Sequence, residues 1–119
     1  MPPTVVIFYA EDNFCPILDW LETLPFAARK KCRDRLSRLA ALGYELRRPE
    51  ADFLKDGIHE LRATNSGTHY RLLYFFHQSK AVISHGLVKE REVPAKDIFL
   101  AITRRTKFAH DPRRHTHEK

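Results

Sequence analysis

The amino-acid sequence predicts one α+β domain: an N-terminal strand and a helical hairpin packed on an antiparallel sheet, completed by a C-terminal helix. Three observations carry this. Apolar residues recur at intervals of three and four between Phe14 and Leu42. From Ile58 the texture changes to three β-branched and aromatic runs separated by short polar turns. After Pro94 the helical spacing returns. Helices segregated from a meander of strands give an α+β layout rather than an alternating α/β one.

The elements follow in order. Val5 to Tyr9 reads as a first strand after Pro2-Pro3. Asp12 or Asn13 can cap a helix whose stripe is Phe14, Ile17, Leu18, Leu21 and Leu24. Pro25 ends it, and a second helix begins near Ala27 with Cys32, Leu36, Leu39 and Leu42 as its stripe and Gly43 as its stop. Tyr44 to Gly57 has no clean period and is expected to be a linking loop. Ile58–Ala63, His69–Phe76 and Ala81–Lys89 are the three strands, with hairpin loops at residues 64–68 and 77–80. Pro94 suits the first turn of a final helix packed through Ile98, Ala101, Ile102 and Phe108. The domain is expected to span residues 1–109, and residues 110–119 to form a flexible polar tail.

Composition narrows the function. Lysine and arginine total 21 against 15 acidic residues, a net charge of +6, which favours a polyanionic partner such as nucleic acid. Two cysteines, Cys15 and Cys32, are too few for a disulfide scaffold and lack metal-ligand spacing, so both are expected as small buried hydrophobes. No run reaches membrane-spanning length and no leader pattern is visible, so a cytoplasmic protein with no membrane partner is expected. The His115-x-His117 pair on a polar tail is a weak metal signal, and no metal or cofactor is expected.

The candidate chemistry lies on the strands. Side chains alternate between faces, so Ile58, Glu60 and Arg62 share one face, and so do Arg71, Leu73 and Phe75. A turn about Ser66-Gly67 sets Arg62 opposite Arg71, whereas a one-residue slip separates them. Two opposed guanidiniums need an anion between them. That anion is either Glu60, giving a structural ion cluster, or a phosphate held by the guanidinium forks. His85 and Lys89 share strand parity and are candidate proton donors, although a lone strand histidine such as His85 is more often a packing residue than a catalyst. The second helix carries Arg29, Lys30, Lys31, Arg33, Arg35 and Arg38 against only Asp34, which reads as a solvated face or as an RNA-backbone or ribosome-facing surface with Arg29, Lys30 and Arg33 as candidate contacts. Tyr70 and Tyr74 read as core aromatics, with base stacking by Tyr74 the alternative.

Taken together, residues 54–62 (LKDGIHELR), 70–74 (YRLLY), 84–89 (SHGLVK) and 94–98, with Ala101, resemble the RelE/HigB superfamily of bacterial toxin–antitoxin toxins, in its phage-related HigB-like branch. The likeness covers nearly all of residues 4–109. It implies a microbial-ribonuclease-type fold and a metal-independent endoribonuclease that cuts mRNA, commonly in the ribosomal A site. It also implies neutralisation by a cognate helix-turn-helix antitoxin. By the same likeness Arg62 and Arg71 fall where relatives present basic residues to the scissile phosphate, Lys89 falls near another basic position, and Glu60 matches an acidic one. Glu60 is then a candidate base and His85 or Lys89 a candidate acid. Two departures stand out: His59 replaces a usual tryptophan, and residues 90–96 contain no match for the late catalytic tyrosine of some relatives. A non-catalytic module that grips a protein such as DNA gyrase is the alternative.

Overall fold

The computed structural model describes residues 3–118. Its elements are β1 (Val6–Phe8), α1 (Pro16–Glu22), α2 (Phe26–Leu42), a 3-10 turn (Gly43–Glu45), β2 (Ala51–Lys55), β3 (Ile58–Asn65), β4 (Thr68–His77), β5 (Lys80–Lys89) and α3 (Ala95–His110). The strands form one five-stranded sheet in the order β1-β5-β4-β3-β2. Strands β2 to β5 are an antiparallel meander, and β1 adds in parallel to the outer side of β5. The expected α+β class is what the chain adopts.

The alternation of side chains along the central strands produces two cores, one on each face. On the first, Ile17 and Leu21 of α1 and Cys32 and Leu39 of α2 bury against Leu61, Leu72 and Ile83. On the second, Ala101 and Phe108 of α3 bury against Ile58, Leu73, Phe75 and Val82. The central strands are therefore covered on both sides, which is why β4 is buried without interruption from Tyr70 to Phe75. Cys15 and Cys32 are free and buried. Among the described residues no helix is long and apolar enough to cross a membrane.

Several sequence expectations are corrected. The first helix begins at Pro16, not at an Asp12 or Asn13 cap. Glu11 and Phe14 exchange backbone hydrogen bonds around Asp12, which sits at φ 51, and that tight turn takes up the polar pair. Pro16 then fills a first-turn position where no backbone N–H is needed. Phe14 is left on the surface. Residues 44–57 are not a plain loop, because they contain β2, a short edge strand whose bulge near Phe53 hides its period. The two later hairpin loops are tight two-residue turns, Ser66-Gly67 and Gln78-Ser79, with positive φ at both positions.

The C-terminal segment is also corrected. Lys119 lies outside the described residues, but residues 115–117 pair along the free side of β1 and the two residues after it. Ala10 N donates to His115 O at 2.9 Å and His117 N donates to Phe8 O at 2.8 Å. The His115 ring stacks on Tyr9 at 5.1 Å, and its Nδ1 lies 2.9 Å from Ala10 O. The segment is polar because it makes backbone pairs at a sheet edge, a role that hydropathy does not register.

Gly86 sits opposite Leu72 on the face covered by α1, with the indole of Trp20 directly above it. A Cβ at position 86 overlaps that ring, so Gly86 permits the closest approach of helix to sheet. Gly86→Val is expected to cost about 1–3 kcal/mol through overpacking, measured by urea denaturation. An unchanged midpoint contradicts this account of the contact.

Candidate functional site

The hairpin register between β3 and β4 decides the site. Arg62 pairs with Arg71 and Thr64 with His69, so the turn lies at Ser66-Gly67 and both arginines occupy the same face. The backbone N–H of Arg62 donates to Glu50 O at 2.9 Å and its carbonyl accepts from Arg35. Both groups therefore face away from β4. That makes Arg62 and Arg71 a non-hydrogen-bonded pair, whose Cα atoms approach to about 4.5 Å.

Glu60 offsets the repulsion. Its carboxylate lies 3.2 Å from Arg71 Nε and 3.8 Å from Arg62 Nε. Glu60 and Arg71 are each only 3% exposed, so this is a buried ion pair, whereas Arg62 is partly open to solvent. Arg71 also donates through Nη1 to Tyr70 O at 3.0 Å. The Glu60–Arg71 approach is not a well-directed hydrogen bond, and neither Glu60 Oε1 nor Arg71 Nε has a hydrogen-bond partner. Burial pushes the Glu60 carboxyl above its ordinary range, although Arg71, Lys89 and Arg62 oppose this. The same burial lowers Arg71, with Glu60 opposing.

The face is extended by a bulge in β5. Leu73 pairs with His85 and Tyr74 with Ile83, leaving Ser84 as the extra residue. Its freed carbonyl accepts from Arg104 Nη1 of α3 at 3.1 Å. The bulge switches strand parity, so Leu87 lies beside Arg71 and Lys89 beside His69 on the arginine face. Successive rows across the face then read Glu60, Leu73, His85; Arg62, Arg71, Leu87; and Thr64, His69, Lys89.

A cleft of about 620 Å³ opens over the last two rows. Its walls carry six cations, Lys31, Arg35, Arg62, Arg71, Lys89 and Arg91, against the two carboxylates Asp34 and Glu90. That imbalance gives the cleft a positive potential, which favours an anionic ligand. Helix α2 forms one wall because β2 ends its pairing at Ala51–Leu61 and leaves the rest of β3 uncovered. Lys31 Nζ and Arg35 Nε reach into the gap and donate to the carbonyls of Thr64 at 2.9 Å and Arg62 at 2.8 Å. A second cavity, of about 690 Å³, lies between the docked C-terminal segment and residues 10–14. Asp12 and Glu118 stand beside Arg113 and Arg114 there, so its lining has no cationic excess.

The structure brings Arg62, Arg71 and Lys89 together at the cleft and sets Glu60 beneath the arginines, outside the lining. His85 is placed elsewhere. It is buried, with Ser84 Oγ 2.8 Å from Nδ1 and Asp97 Oδ1 3.0 Å from Nε2, so both ring nitrogens are engaged inside the protein. Tyr74 is 1% exposed and stacks on His59, so it offers no face to a base. Its hydroxyl is pushed up to about 12 by burial. Arg29 is held at the end of α1 by the carbonyls of Leu21 and Leu24, while Lys30 and Arg33 are exposed on α2 outside the cleft. The cationic side of α2 was legible, but Lys31 and Arg35 were not singled out from it, and sequence reasoning missed His69 and Arg91 as wall residues. For His69 the strand parity with Arg71 was a usable signal.

These features define a class: a small basic α+β protein with a cationic cleft on the sheet face, floored by a buried carboxylate and two guanidiniums. A family model described as "Phage derived protein Gp49-like (DUF891)" matches residues 19–106, and the chain belongs to that phage-derived Gp49-like family. The matched span runs from α1 into α3 and includes every cation of the cleft. No curated protein matches the chain.

The placement of His85 has a consequence for stability. Burial lowers its pKa, with Asp97 opposing, so the folded state prefers the neutral imidazole more than the unfolded chain does. The stabilisation is complete above the unfolded value of about 6.5 and is lost as pH falls through the folded value. His59 is shifted in the same direction, by burial and then Arg47. Stability measured by urea denaturation is expected to decline on acidification below about pH 6.5, less steeply in His85→Gln, with His59 supplying the remaining slope. Equal slopes in the two proteins contradict a neutral buried His85.

Proposed function

We propose that the chain is the toxin of a type II toxin–antitoxin module, of RelE/HigB type, acting as a metal-independent mRNA endoribonuclease on translating ribosomes. The observation that carries this reading is the pairing of Arg62 with Arg71 in a six-cation cleft, with one buried carboxylate between them. Two guanidiniums and one carboxylate leave a positive excess where a phosphodiester can sit across both forks. The net charge of +6 and membership of the phage-derived Gp49-like family support a small toxin acting on RNA.

In the reaction the RNA 2′-hydroxyl attacks the adjacent phosphorus and the 5′-oxygen leaves, giving a cyclic phosphate. Charge builds on the phosphoryl oxygens, and Arg62 and Arg71 stabilise it. Lys89, two rows from Glu60 and beside His69, supplies a proton to the leaving oxygen. Glu60 lies under the guanidiniums rather than on the cleft wall, so it acts as a positioning residue that holds both arginines toward the phosphate. A helix-turn-helix antitoxin with an acidic segment is the partner expected to fill the cleft and silence it.

Purified protein incubated with mRNA, alone and in programmed ribosomes, tests the reading. Cleavage is expected to persist with chelator, since the chemistry uses only the chain's own groups. Arg71→Ala is expected to lower the cleavage rate by about 10²–10³ and to relieve growth arrest in cells. Intact mRNA under every condition removes the nuclease reading in favour of a toxin-like module that grips a protein target, and full toxicity of the Arg71→Ala protein refutes the phosphate assignment.

A further inference from the structure

We infer that His69 is the catalytic base of this site, an assignment that rests on the nuclease reading above. The observation is a juxtaposition. His69 lies on β4 two residues before Arg71, on the same face and in the next row of the cleft floor, between Thr64 and Lys89. It is exposed and lines the cleft, unlike His85.

The base must own a free lone pair, and most of the cleft wall has none. Lysine and arginine are donors only when charged. The wall groups able to accept a proton are His69 and the carboxylates Asp34 and Glu90. Asp34 projects from α2, and Glu90 lies just beyond the end of β5. His69 alone of these stands on the strand face that carries the arginine pair. Rows on one face are spaced by two residues of extended chain, about 7 Å. A nucleotide whose phosphate rests on Arg62 and Arg71 bridges that interval with its ribose.

The ring is also oriented. Thr64 Oγ1 lies 3.0 Å from His69 Nδ1, across the non-hydrogen-bonded pair next to the hairpin turn. With Thr64 accepting the Nδ1 proton, Nε2 keeps its lone pair and is the atom left for the cleft. The step balances. The 2′-hydroxyl proton passes to His69 Nε2 as the 2′-oxygen–phosphorus bond forms. The phosphorus–5′-oxygen bond breaks, and Lys89 gives its proton to the departing oxygen.

The test compares wild type, Arg71→Ala, His69→Ala and His69→Ala with added imidazole, on a synthetic RNA presented free and in programmed ribosomes. His69→Ala is expected to slow cleavage by about 10²–10⁴, to keep the wild-type melting temperature, and to regain rate as imidazole is added. A residue that only shapes the cleft gains nothing from imidazole, so unrescued loss overturns the assignment. Cleavage that Arg71→Ala abolishes and His69→Ala leaves unchanged also overturns it, with the phosphate site still standing. Absence of cleavage by the wild type removes both readings together.

Discussion

Two arginines facing each other at the closest type of cross-strand position are the constraint around which this sheet is built. Like charges placed directly opposite destabilise a hairpin unless an anion is supplied. Here Glu60, one row away on the same face, supplies it at 3.2 Å from Arg71 and 3.8 Å from Arg62. That contact exists in one register only. A slip of one residue sends Arg71 into the apolar layer under α1 and α2 and turns Leu72 toward the cleft. The turn chemistry enforces the same choice, since Ser66 and Gly67 both adopt the positive φ of a two-residue hairpin. Electrostatics and turn geometry thus specify one pairing.

From that pairing the rest of the cleft follows by completing what the sheet leaves open. Strand β2 is too short to cover β3 beyond Leu61, and exposed carbonyls there need donors. Lys31 and Arg35 provide them, which ties α2 to the sheet edge and brings its positive charge to the cleft rim. On the other side, the Ser84 bulge turns Lys89 onto the arginine face while Arg104 satisfies the displaced carbonyl. Each cation wall is therefore also a structural repair. The basic side of α2, readable as a solvated stripe, is largely engaged in fastening: Arg29 to α1, Lys31 and Arg35 to β3, and Arg38 to Glu50 at 2.8 Å.

How much of this was legible depends on range. Hydrophobic period and turn residues act locally, so α2, α3 and the three long strands could be read from the chain, whereas the opposition of Arg62 to Arg71 followed only if the turn fell at Ser66-Gly67, which the sequence left open against a one-residue slip. The short strand β2 could not, because its bulge disrupts the alternation that would mark it and its pairing is with residues further along. The docking of residues 115–117 on the β1 edge was equally invisible, since it joins segments far apart in sequence through backbone bonds that carry no residue signature. At the site, His85 and His69 look alike as strand histidines. What separates them is tertiary: Asp97 of α3 closes over one, and the other stays exposed at the cleft.

That distinction also explains how one small face can carry both stability and the chemistry proposed for it. Toward α3 the rows are apolar or fully paired, and His85 is held neutral by burial within Leu73's row. Toward the hairpin turn the rows lose their helical cover and become cationic and wet. Glu60 and Arg71 sit at the boundary, buried yet incompletely hydrogen bonded. Burial disfavours the charge on Glu60 even with three cations near it. Two arginines sharing one such anion keep a positive excess directed at the open side. In the nuclease proposed above, that excess is what a phosphodiester would meet, on donors already aligned by the sheet, and the strand that aligns them places His69 one row away.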